Sequence, residues 1–102
     1  MADAFPTRLF ERMPEVWKYT LEMEAVTRVD VAGWDRQVLH VHEQGGEVCV
    51  WLSVFDYGET RPAFFRVIGT GWAEPQGARY VGTAHVGAGV WHVYLLDREP
   101  VP

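Results

Sequence analysis

From Val16 onward the chain alternates apolar and polar residues with a period of two, the spacing of strands that bury one face. Trp17, Tyr19, Leu21 and Met23 alternate with Val16, Lys18, Thr20 and Glu22, and Thr27, Val29 and Val31 alternate with Val26, Arg28 and Asp30. Ala32-Gly33-Trp34-Asp35 breaks the pattern and turns the chain, after which Leu39 and Val41 alternate with Val38, His40 and His42. Gln44-Gly45-Gly46 predicts a tight hairpin, because glycines accept the positive φ angles that such turns need. Residues 48–55 (VCVWLSVF) are apolar on both faces, which predicts a strand in mid-sheet covered on both sides. Residues 56–63 read as a polar loop. Three more runs follow, FFRVIGTG (64–71), RYVGTAHV (79–86) and VWHVYLL (90–96), separated by a Pro75/Gly77 turn and a Gly87-Ala88-Gly89 turn. About seven strands at regular spacing predict an all-β fold, an antiparallel sandwich or small barrel.

The first residues break this rhythm. Thr7 can cap a short helix over residues 8–13, with Leu9, Phe10 and Met13 on one side and Pro14 ending it. The expected organisation is therefore an N-terminal helical arm or cap at 1–15, an antiparallel β domain at 16–97 and a tail at 98–102. The segment either caps one end of the β domain or docks on a neighbouring subunit.

At 102 residues and 48% hydrophobic, the chain is one domain with enough apolar surface for a core without metal or disulfide staples. Cys49 is the single cysteine, which favours a reducing compartment. No apolar run approaches the roughly 20 residues that cross a bilayer, and the first residues lack the basic and apolar regions of a secretion signal. A cytoplasmic protein with no membrane partner is expected. The net charge of −5, with its nine basic residues scattered, argues against nucleic acid, which needs clustered phosphate contacts. Eight of the nine bases are Arg, a bias that fits a GC-rich genome better than a recognition surface.

Candidate chemistry is sparse. Ser53 and Cys49 both lie in the most apolar run, away from the base an activated nucleophile needs, and no Gly-rich loop ends in Lys-Ser or Lys-Thr. His40 and His42 share one strand face, so His85 or His92 on a facing hairpin would complete a three-nitrogen metal site and a metal-dependent enzyme. No acidic ligand stands at a telling spacing, which favours surface histidines, and no metal or cofactor is expected.

The last three runs offer more. Strict alternation puts Arg66, Ile68 and Thr70 on one face, Val81, Thr83 and His85 on one face, and His92 and Tyr94 on one face. Side by side they form a mixed polar and aromatic patch, with Gly69, Gly71 and Gly82 leaving room for a partner to approach. Five Trp, four Tyr and five Phe are many for so short a chain, and aromatic residues are enriched in interface hot spots. Trp34 and Trp72, both beside turn glycines, are the expected exposed pair. The candidate binding residues are thus Trp34, Arg66, Trp72, His85, His92 and Tyr94.

VWKY (16–19), QGGEVCVW (44–51), FRVIGTGW (65–72), YVGT (80–83) and WHVY (91–94) together resemble a family of small uncharacterised proteins of actinobacteria and especially their phages. The likeness spans residues 16–95. The chain departs from it at Trp72, where the family carries a His after GTG, and in its additional N-terminal segment. The family has no established activity, so the resemblance implies no catalytic residue; it implies a small accessory protein of a phage or prophage. The expected function is non-catalytic binding of a host or viral protein, as a homo-oligomer. The alternative is a small-ligand binder for a nucleotide-type signal, with Arg66 on the anion and Tyr94 or Trp91 stacking.

Overall fold

Seven antiparallel strands fill the structure, a computed structural model that describes residues 13–101. They are β1 (Glu15–Leu21), β2 (Val26–Ala32), β3 (Val38–Gln44), β4 (Glu47–Val54), β5 (Thr60–Gly69), β6 (Ala78–Val86) and β7 (Gly89–Leu96). β1-β4-β3 form one sheet and β2-β5-β7-β6 the other, so the domain is a sandwich and not a closed barrel. The helix expected over residues 8–13 falls outside the described residues except for Met13, and there is no helix among those described.

Alternation explains the core. Val48, Val50, Leu52 and Val54 of β4 face Phe65, Val67, Val93 and Leu95 of the second sheet, all of them buried in one cluster. Full burial of such side chains is worth roughly 1.5–3 kcal/mol each. The turn at residues 45 and 46 has positive φ at both glycines, as a two-residue hairpin requires.

Two expectations need correction. β4 is the middle strand of its sheet, but only one of its faces is interior; Trp51 and Ser53 on the other are half-buried. Cys49 is buried on that outer face, between its cross-strand neighbours Thr20 and His42. The polar loop ends sooner than residue 63, because β5 begins at Thr60. Pro62 fits inside the strand because it pairs with Asp30 of β2, whereas β7 joins β5 only from Phe65 on.

One corner of the sandwich positions the site. β6 shifts register between Tyr80 and Gly82, so Val81 is an extra residue and leaves the alternation. Gly82 then meets Val41 of the opposite sheet so closely that a Cβ there would lie 2.6 Å from the valine Cγ2. Only glycine lets the two sheets approach this far.

Candidate functional site

The outer face of the four-stranded sheet is organised by register. Arg66 of β5 pairs with Tyr94 of β7, which pairs with Tyr80 of β6; Ile68 pairs with His92, which pairs with Thr83. The intervening Val67, Val93 and Ala84 point into the core. Because of the bulge, Tyr80 and Thr83, three residues apart, come to the same face.

The β5–β6 connection supplies a wall. Trp72 N–H donates to the Gly69 carbonyl at 3.2 Å, and Gly71 at φ +94° takes the turn position that requires a positive φ. This places Trp72 edge-on to Trp91, with ring centroids 6.3 Å apart, and carries the chain round to Glu74. Between this loop and the strands lies a cleft of about 500 Å³, floored by Ile68, His92 and Tyr94 and bordered by Trp72, Glu74 and Tyr80.

Polar groups in the cleft are tied together. Thr70 Oγ1 lies 2.8 Å from His92 Nε2, and Thr83 Oγ1 lies 3.0 Å from His92 Nδ1. Tyr80 hydroxyl is 2.5 Å from Thr83 Oγ1, which extends the chain to the rim. Both imidazole nitrogens are thereby engaged by hydroxyls, so His92 is held as a polar floor with neither nitrogen free for a metal. Tyr94 donates its hydroxyl to Glu74 Oε2 at 2.7 Å. That hydrogen bond, then burial and the charges of Glu74 and Tyr80, push Tyr94 up to about 12. The rings of Tyr80 and Tyr94 meet at 65° with centroids 5.7 Å apart, making a corner of the cleft.

The six sequence-predicted residues divide. Trp72, His92 and Tyr94 line the cleft. Arg66 shares the face beside Tyr94 but lies outside the lining and donates to the Glu24 carbonyl at 3.4 Å. His85 is exposed two residues beyond Thr83, near the β6–β7 turn and outside the cleft. Trp34 is elsewhere: it is half-buried, packs on Phe65 at 6.0 Å and donates its indole N–H to the Gln37 carbonyl. It covers the core and is not the exposed anchor expected of it. Val81 likewise packs against the core and does not join Thr83 and His85, and Trp91 packs inward, away from any ligand on this face.

The three-histidine set is not assembled. His40 and His42 stack at 5.5 Å on the outer face of the three-stranded sheet, whereas His85 and His92 stand on the outer face of the other. The sandwich interior, roughly 10 Å thick, separates them. Among the described residues no three His, Cys, Asp or Glu side chains converge for a metal.

Two cleft residues were not foreseen. Tyr80 falls on the wrong face under strict alternation, and the only signal for it is Gly82, since a glycine inside a strand marks a bulge. Glu74 sits in the loop, where no periodicity points to it.

The chain belongs to the family described as a domain of unknown function, DUF7352, which matches residues 13–101. No curated protein and no solved structure matches it. Among the described residues no helix is long and apolar enough to cross a membrane.

Proposed function

We propose that this protein is a non-catalytic binding module that engages a protein partner through the cleft on its four-stranded sheet. The observation that carries this reading is the convergence of Tyr80, Tyr94 and His92 on one concave outer face, with Trp72 at the border of the cleft, its indole turned back over Gly69 towards Trp91. Trp72 and Tyr80 stand 44% and 53% exposed at its rim, large rings left in water beside an already structured floor. Aromatic anchors around a preformed pocket are the usual centre of a protein interface. No activated nucleophile accompanies them: Cys49 is buried on the other sheet, Ser53 lies further along the same strand, and both nitrogens of His92 are taken by hydroxyls.

The setting in this reading is an accessory protein of a phage or prophage that acts in the host cytoplasm on a host or viral protein; it rests on the resemblance of the motifs. Self-association belongs to the same reading. β1 is an edge strand that keeps Met13, Val16 and Trp17 exposed around its start, an apolar border suited to a second copy.

Affinity capture from host lysate tests both parts. Trp72→Ala/Tyr80→Ala is expected to lose the partner that the native chain and His40→Ala/His42→Ala retain. Light scattering of the same preparations is expected to give a mass above the 11.6 kDa of one chain. Capture unchanged in the aromatic variant sinks the cleft, and a monomeric mass removes the oligomer.

A small ligand in the same cleft is the second reading, favoured by a volume within the roughly 300–1,000 Å³ of small-molecule sites. Such a ligand raises the melting temperature in a thermal shift screen by mass action. An anionic nucleotide fits poorly, because no lysine or arginine lines the cleft and Arg66 is turned to a backbone carbonyl.

A further inference from the structure

The cleft has a sign. Glu74 is the one carboxylate among its lining residues, and no lysine or arginine accompanies it. Its Oε2 accepts the Tyr94 hydroxyl, and among the described residues it forms no ion pair. The basic side chains that could have neutralised it are committed elsewhere: Arg66 donates to the Glu24 carbonyl, and Arg79 to the Arg36 carbonyl at 2.8 Å. The rings of Tyr80 and Tyr94 line the same cleft, and Tyr94 reaches the carboxylate directly. Aromatic faces are electron-rich and attract a cation placed within about 6 Å of the ring centre. A carboxylate set among aromatic rings selects positive charge twice over. A neutral occupant would cover the carboxylate without replacing its water, and an anion would be repelled.

We infer that the cleft receives a lysine side chain of the protein partner, an inference that rests on the partner-binding reading above. The ammonium meets the Glu74 carboxylate, and the methylene stem lies along the exposed ring of Tyr80. Lysine fits better than arginine. One carboxylate oxygen already takes the Tyr94 hydroxyl, which spoils the two-oxygen seat a guanidinium fork uses, whereas an ammonium is a point charge that one oxygen satisfies. A side chain fits better than a free amine, because the exposed ring of Tyr80 extends the contact surface past the charge. The net charge of −5 draws a basic partner at longer range.

The test titrates the full chain with N-α-acetyl-lysine methylamide, following the Trp72 indole N–H by NMR. Its N-ε-acetylated form and butylammonium serve as comparison probes. Saturable binding of the lysine probe is expected, with no response to the N-ε-acetyl probe and weaker binding of butylammonium. Glu74→Gln, an exposed loop substitution, weakens the lysine probe about tenfold. Glu47→Gln, which removes the same charge from the hairpin of the other sheet, leaves it unchanged. No saturable binding of the lysine probe, an equal response to the neutral probe, or butylammonium binding as tightly as lysine overturns the assignment. Affinity capture separates this failure from that of the wider reading. A partner lost by Trp72→Ala/Tyr80→Ala but kept by Glu74→Gln removes the lysine and leaves the protein interface standing. A partner kept by both removes the two together.

Discussion

Tyr94 joins the core to the surface through one side chain. Its ring is buried beside Arg66 and Tyr80, and its hydroxyl reaches out to Glu74 in the loop. The raised pKa has a definite sign. A phenol held above its ordinary value of 10.0 in the folded state stabilises the fold fully below pH 10, and that contribution is lost as pH climbs from 10 towards about 12. NMR of ring-labelled tyrosine is expected to show Tyr94 titrating near 12 in the native chain and back towards 10 in Glu74→Ala, which removes the largest cause. Titration near 10 in the native chain would mean that the hydrogen bond to Glu74 does not form in solution. At this scale the sequence was legible where side chains lie on strands: Arg66, His92 and Tyr94 share a face because alternate residues must. Glu74 was not legible, since its position depends on the Gly71 turn that folds the loop back.

The element that reshapes the site is β6. A regular strand would carry Val81 outward and hide Tyr80; the extra residue reverses both, and the cleft gains a ring at its rim. The bulge is held where the sheets nearly touch, at Gly82 against Val41. Gly82→Ala forces a methyl into Val41 and is expected to destabilise the fold by about 1–3 kcal/mol in urea unfolding. Adding Val41→Ala makes room, so the double variant is expected to lose less than the sum of the single losses. A single substitution within about 0.5 kcal/mol of native would show that the sheets are not that close. Strand existence and the hairpin at 45–46 were readable from alternation and turn glycines. Sidedness was harder. β4 reads as a doubly covered strand because Cys49, Trp51 and Phe55 are apolar, yet its outer face is merely an aromatic surface shared with His40.

For the whole molecule, the two sheets carry different outer faces. The three-stranded sheet presents His40 stacked with His42 and packed on Trp51, and Lys18 bonded to Gln44. The four-stranded sheet presents a cleft in which aromatic rings meet a carboxylate. Which face is used is therefore a question about position that backbone exchange answers directly. Hydrogen–deuterium exchange of the native chain, alone and with the captured partner bound, measures it. The account predicts slowed exchange at residues 70–80, the loop and the first residues of β6, with β1 and β3 unchanged. Slowing confined to β1 and β3, with the 70–80 segment as open as in the free protein, would contradict it.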